Sequence, residues 1–214
     1  MRRHTIGVLA LVLLVSLAGC SALSGPLTFS ANQATVADAT VQETGYEEAK
    51  VTDVVIEREI TRAGVTKTVK VTNWQAMYER TVDLGPLGEK RAAVVSVFST
   101  PKVEIAGQGP FNPVADYDNE QLVTLVQQQY SGMSNVQPVS ERQVSMLGQT
   151  TTVSKFSATA SLDGGAQVDV FLHVTRVGHG EDYVIAVAVH PQQLSGEQQK
   201  IDAMFQNVQH DTGS

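Results

Sequence analysis

Two stretches of this chain are apolar at almost every position. Arg91 to Val103 carries Ala92, Ala93, Val94, Val95, Val97 and Phe98, and Tyr183 to His190 is again almost wholly apolar. Successive side chains of a strand point to opposite faces. A run that is apolar at both parities therefore has to be covered on both faces, as a central strand of a sheet is. The rest of the chain must supply the strands beside these two and the layers above and below them.

The first half reads as a helix followed by strands. Thr35 to Thr44 has Val36, Ala37 and Val41 on one side, with Gly45 suited to the position past its end. Val54, Ile56 and Ile60 alternate with Glu57 and Glu59, the pattern of a half-exposed strand. Ala63-Gly64 is a hairpin turn. The next run, Val65 to Arg80, is apolar at Val69 and Val71 and then at Trp74, Ala76 and Tyr78, and that change of phase predicts a bulge near Asn73. Leu84-Gly85-Pro86-Leu87-Gly88 is a turn, and Pro101 marks the end of the first apolar run. Ala106 to Tyr117 is the longest irregular stretch, a connection between two halves of a sheet or a contact loop.

The second half opens on a helix capped by Asp118 with Gln121 three residues on, its apolar face formed by Leu122, Leu125, Val126 and Tyr130. Gln143 to Leu147 and Thr150 to Ala160 flank the turn Gly148-Gln149. Asp163-Gly164-Gly165 is a hairpin signal. Val168, Val170, Leu172 and Val174 alternate along the next strand, and Gly178-His179-Gly180 turns into the second apolar run. A last helix starts at Ser195, with Gln198 as a capping-box partner and Ile201, Met204, Phe205 and Val208 at helical spacing. The tail from His210 is polar and expected to fray. Helix then strands occurs twice, without a residue-level repeat. The expected fold is α+β: one domain over 29–210, an antiparallel sheet of about six strands with helices packed on it, and a tail over 211–214.

Ahead of the domain stands a leader. Arg2 and Arg3 precede a twelve-residue apolar stretch, Ile6 to Leu17. A helix needs roughly 20 residues to cross a bilayer, so the stretch reads as a signal peptide over 1–19. Small Ala18 and Gly19 precede Cys20, the one cysteine of the chain. An ordinary secretory signal with a chance cysteine and an uncleaved anchor are the competing readings. The tetrad Leu17-Ala18-Gly19-Cys20 resembles the bacterial and archaeal lipobox. That resemblance implies that Cys20 becomes the mature N-terminus and carries a diacylglycerol-type lipid, with 20–28 as a tether. Two acyl chains matter, because one anchors only marginally. The Arg2-Arg3 pair leaves general and twin-arginine export both open.

The chain of 214 residues has 15 basic and 22 acidic side chains. Without Arg2 and Arg3 the balance is 13 against 22, a net of −9. Such a charge argues against nucleic acid or an anionic lipid surface as the main partner. With Cys20 lipidated, no disulfide forms within one chain.

The order of elements from Asp118, with a Leu-Gly-Gln turn and an Asp-Gly-Gly turn, resembles the α/β/α sandwiches of the Mog1/PsbP type, in which helices cover both faces of an antiparallel sheet. Over nearly its full length the chain resembles a family of uncharacterised haloarchaeal lipoproteins. The residues carrying that likeness are Thr44-Gly45-Tyr46, Val71-Thr72-Asn73-Trp74, Val82 to Gly88, Ser99-Thr100-Pro101, Phe111-Asn112-Pro113-Val114 and Leu172-His173-Val174-Thr175. The resemblance implies a location and a fold, and no reaction.

Candidate chemistry is sparse. If the last hairpin folds about Gly178 to Glu181, Asp169 stands opposite His190 and His173 near Ala186, which makes an Asp169–His190 pair the nearest approach to a site. A metal asks for three or four convergent ligands, so no metal is expected, and no cofactor. Glu57 and Glu59 read as solvated surface, and Trp74 as core. Gly107 to Gly109 lacks the lysine and hydroxyl of a phosphate loop. Phe111, Asn112 and Tyr117 form the most plausible contact surface, aromatics and an amide on a Gly/Pro frame. The expected function is a non-enzymatic lipoprotein on the extracytoplasmic face of the cell membrane that binds a protein partner or assists assembly there. A lipid-anchored solute-binding protein would need a concave pocket, and an unrecognised hydrolase a clustered His/Asp/Ser set.

Overall fold

The computed structural model describes residues 25–62, 65–83, 89–105, 109–110, 114, 116–129, 132–161 and 166–212. Leu17 to Cys20, the turns expected at Ala63-Gly64, Leu84 to Gly88 and Asp163 to Gly165, and Tyr130, Phe111 and Asn112 all lie outside these residues.

The fold is α+β, mostly strand, with three helices among the described residues. β1 (Leu27–Ser30), β3 (Glu47–Arg62), β4 (Val65–Asp83), β5 (Glu89–Pro101), β8 (Met133–Met146), β9 (Gln149–Ser161), β10 (Gln167–His179) and β11 (Asp182–Pro191) form one sheet of eight strands. Its order is β3-β4-β5-β11-β10-β9-β8, every neighbour antiparallel. β1 lies parallel to β4, Leu27 beside Val69 and Ser30 beside Thr72. The sheet is thus larger than the expected six strands, and mixed. β4 carries the difference. β3 runs along one of its edges, while the other edge is shared by β5 from Trp74 onward and by β1 before it.

The two apolar runs are β5 and β11, neighbours at the centre, and both of their faces are covered. Ala93, Val95, Val97, Val184, Ala186 and Ala188 pack beneath α1 (Asp38–Thr44) and α3 (Glu197–Gln206). Phe98, Tyr183, Ile185, Val187 and Val189 face a second core with Val170, Leu172 and Val174 of β10. α2 (Asn119–Gln129) covers that core with Leu122, Val123, Leu125 and Val126. Short β6 (Glu104–Ile105) pairs with β7 (Gly109–Pro110).

Several local expectations are corrected. No bulge stands at Asn73, where the β3–β4 register is unbroken; the shifts fall at Glu48/Lys50 and at Arg80/Thr81. The phase changes because the covered face changes along β4: Val69 and Asn73 are buried at one parity, Ala76 and Tyr78 at the other. The first helix begins at Asp38, because Ala34–Val36 form a strand, β2. Its partner is β12 (Val208–His210), so His210 ends a strand and is no fraying tail. The Val36 N–H also donates to Tyr78 Oη at 2.8 Å. The turn after β8 is Leu147-Gly148, both with positive φ, one residue earlier than expected. The last hairpin turns at Gly180-Glu181 with His179 opposite Asp182. His190 therefore stands opposite Phe171 and His173 opposite Ala188, and the expected Asp169–His190 pair does not form.

One expected cap is made and one is not. The Gln121 N–H donates to Asp118 Oδ1 at 2.8 Å, and the Asp118 N–H donates back to Gln121 Oε1 at 3.0 Å. Asp118→Ala is expected to lower stability by about 1 kcal/mol, read as a lower urea midpoint with an unchanged slope; an unchanged midpoint means the cap contributes nothing. At α3 the N-cap is Gly196 at φ 77°, with no side-chain cap, so the Ser195–Gln198 box is absent. Gln198 Oε1 instead accepts from Lys155 Nζ at 3.3 Å.

Candidate functional site

The fold gathers ionisable side chains into three clusters, two of them beneath α3. The first begins at Glu197, one turn before Ile201 on the inward stripe of the helix. The residue is 1% exposed. Arg80 shares the inward parity of Ala76 and Tyr78 on β4. Tyr46 arrives just after Gly45, whose φ of 72° ends α1. Tyr46 Oη donates to Glu197 Oε1 at 2.7 Å, Arg80 Nε donates to the same oxygen at 3.0 Å, and Arg80 Nη2 donates to Glu197 Oε2. Burial opposes the Glu197 charge, but the bonds from Arg80 and Tyr46 outweigh it and hold the carboxyl below its ordinary range. The Glu197 hydrogen bond raises the Arg80 pKa against burial. Burial, and then the adjacent carboxylate, push the Tyr46 hydroxyl far up.

The second cluster runs across β8, β10 and β11. Arg142 donates from Nε to Asp202 Oδ1 at 2.8 Å and from Nη1 to His173 Nδ1 at 3.0 Å. His173 Nε2 lies 3.1 Å from His190 Nε2, and His190 Nδ1 lies 2.9 Å from the Pro191 carbonyl. A guanidinium only donates and a carbonyl only accepts, so the protons along this chain are fixed. His173 accepts at Nδ1 and donates from Nε2; His190 accepts at Nε2 and donates from Nδ1. Both imidazoles are neutral. Burial, helped by repulsion from Arg142, pushes the His173 pKa down to about 2, and burial lowers that of His190 as well. Lys155, its pKa lowered by burial and by Arg142, sits 3.7 Å above the Phe171 ring.

The third cluster joins the C-terminal strand to the β10–β11 hairpin. Asp182 Oδ2 accepts from the Asn32 N–H at 2.9 Å and from His210 Nε2 at 3.0 Å. His210 Nδ1 lies 2.9 Å from His179 Nδ1. The His210 and Asp182 side chains are 0% and 1% exposed, while His179 is half-buried. An Asp–His–His relay of this form can hold or pass a proton to the outer nitrogen of His179.

Of the residues singled out in the sequence, Tyr117 is half-buried against the second core, and Trp74 is half-buried on β4. Glu57 is an exposed partner of Lys70 at 3.3 Å, and Glu59 is exposed. Asp169 is exposed and accepts from Thr159 Oγ1 at 3.4 Å. Sequence reasoning missed all three clusters. The available signal was Glu197, a carboxylate in phase with Ile201, Met204 and Phe205. A cleft of about 240 Å³ opens beside β8 and β9, lined by Glu120, Val139, Glu141, Ser154 and Lys155 among others. Among the described residues no three His, Cys, Asp or Glu side chains are grouped to hold a metal ion. No described helix is long and apolar enough to cross a membrane.

No curated protein matches the chain. A family model described as a domain of unknown function, DUF6517, matches residues 33–209, from just before β2 into β12, and the chain belongs to that family.

Proposed function

We propose that the protein is an exported lipoprotein, held by a diacylglycerol-type lipid on Cys20 at the extracytoplasmic face of the cell membrane, and that its domain is a non-enzymatic binding or assembly module. The lipobox-like Leu17-Ala18-Gly19-Cys20 carries the location, together with the likeness to haloarchaeal lipoproteins. For the domain, helices on both faces of the sheet support the Mog1/PsbP likeness. One observation carries the non-enzymatic reading: the titratable groups the fold gathers are engaged with each other. Glu197 is taken by Arg80 and Tyr46, and both nitrogens of His173 and of His190 are in hydrogen bonds. Groups so engaged rigidify and specify a fold. Cys20→Ser is expected to move the protein from the membrane fraction to the soluble fraction or to leave an unprocessed precursor. A variant that fractionates and migrates like the wild type overturns the anchor.

A hydrolase remains the second reading, because Asp182, His210 and His179 supply two histidines and a carboxylate in one relay. It requires a nucleophile and a substrate cleft at His179, and the cleft of about 240 Å³ described above is a different place, beside β8 and β9.

A further inference from the structure

The β3–β4 hairpin projects beyond the rest of the sheet. Asp182, the start of β11, pairs with Pro101, and Ser99 pairs with Trp74, so β5 and β11 end level with Thr72 of β4. β4 reaches back to Val65, an overhang of about 23 Å at strand spacing. Besides β3, only β1 among the described residues lies beside it there, at Val69 to Thr72.

This arm differs from the remaining surface in two ways. Leu27, Val54, Val55 and Ile56 are 36–44% exposed, and they are four of the five exposed large hydrophobic residues among those described. Val55 points to the opposite face from Val54 and Ile56, so β3 exposes apolar side chains at both parities there, while Val69 on the β4 side of the arm is buried. The arm is also basic. From Lys50 to Lys70 the sequence has five cations, Lys50, Arg58, Arg62, Lys67 and Lys70, against Asp53, Glu57 and Glu59. The rest of the chain after residue 19 has 8 cations against 19 anions.

The direction of β1 says what the arm meets. Because β1 is parallel to β4, the chain leading into Leu27 leaves toward Val65 and the hairpin end. Leu27 stands seven positions after Cys20, at most about 25 Å of chain. The hairpin end lies about 13 Å beyond Leu27 in that same direction. A lipid on Cys20 therefore holds the arm, end first, at the bilayer surface. Pairing with a second copy fits less well: antiparallel two-fold registers centred on Val54, Val55 or Ile56 oppose Lys50 to Arg58, Asp53 to Glu57, or Asp53 to Glu59.

We infer that the β3–β4 arm is the membrane-contacting surface of the domain, laying Arg58, Lys67 and the exposed Val54–Ile56 stretch against anionic phospholipid headgroups. Basic side chains near an anionic leaflet add to the attraction one by one, and apolar side chains beside them favour the interface. The acidic balance of the whole chain keeps its other faces away from the same surface.

The inference rests on the lipid anchor proposed above, so the test separates the two. With Cys20 consumed by lipid, Thr66→Cys or Gln193→Cys supplies the one free thiol, at the hairpin end or at the opposite end of the sheet. Both positions are exposed. The full-length lipidated protein, labelled there with an environment-sensitive fluorophore, is incorporated into vesicles of phosphatidylcholine, or of phosphatidylcholine with phosphatidylglycerol, each containing a headgroup quencher. Quenching at position 66 is expected to exceed that at 193 severalfold, to rise with phosphatidylglycerol, and to lose that rise in Arg58→Glu/Lys67→Glu. Equal quenching at the two positions, or quenching indifferent to phosphatidylglycerol and to the charge reversals, overturns the inference while protein that floats with the vesicles leaves the anchor standing. Protein that does not float with them overturns the anchor and this inference together.

Discussion

Glu197→Ala is expected to lower the unfolding free energy by about 3 kcal/mol, the cost of stripping one partner from a buried ion pair. The variant leaves the Arg80 guanidinium, 15% exposed at its side chain, facing apolar surroundings, and it leaves Tyr46 Oη with no carboxylate to donate to. The guanidinium charge cannot be relieved by losing a proton, because arginine does not deprotonate in proteins. Tyr46→Phe is the milder change, about 1 kcal/mol, because Arg80 and Glu197 keep each other. Arg80→Met with Glu197→Leu is expected to recover most of the loss, since a buried pair exchanged whole for apolar volume is close to neutral. Urea unfolding of the three variants decides. If Glu197→Ala falls within about 1 kcal/mol of Tyr46→Phe, the pair is not the buried clamp described.

The second large effect is acid destabilisation that begins near neutrality. His173 titrates near 6.5 when unfolded and at about 2 when folded. Between those values the unfolded chain binds a proton that the native protein refuses, so stability is complete above about pH 6.5 and declines as pH falls. The slope from His173 alone approaches about 1.4 kcal/mol per pH unit, or about 2 kcal/mol between pH 6.5 and 5. His190, shifted in the same direction, adds to it. Glu197, with its folded pKa depressed, contributes stability that is lost only below the carboxylate range. Acid loss should therefore come in two stages, histidine first. His173→Gln keeps an acceptor for Arg142 and a donor for His190 without a titrating ring, and should flatten the first stage. A wild-type profile level from pH 7 to 5, or an unchanged profile in the variant, contradicts the proton assignment along that chain.

The centre of this fold was legible in the sequence, and its rim was not. β5 and β11 declared themselves because burial on both faces removes the alternation that a half-exposed strand keeps. The Asp118–Gln121 cap was legible because its bonds are local. The histidine clusters depend on register. One residue of difference in where the β10–β11 hairpin turns moves every partner by two, so the expected Asp169–His190 pair became His173–His190 instead. His210 was unreadable for another reason. Val208 continues the helical spacing of Ile201, Met204 and Phe205, yet the helix ends at Gln206, and the strand character of Val208–His210 comes from β2, near the other end of the domain. β1 posed the same problem: four residues, mostly exposed, with nothing local to say that they would lie parallel to β4.

β1 also decides how the domain bears mechanical load. A pull on the chain ahead of Leu27 acts along the axis of the strand, away from its junction at Ala31, whose N–H donates to the Thr72 carbonyl at 2.9 Å. The β1–β4 bonds are then strained together in shear and must fail nearly at once. An antiparallel β1 entering at Thr72 would be peeled from its end, one bond after another. Rupture under load follows the unfolding rate and not the equilibrium. A strand too short to matter much to stability thus serves as a latch, through which any load applied to the chain ahead of Leu27 reaches the core.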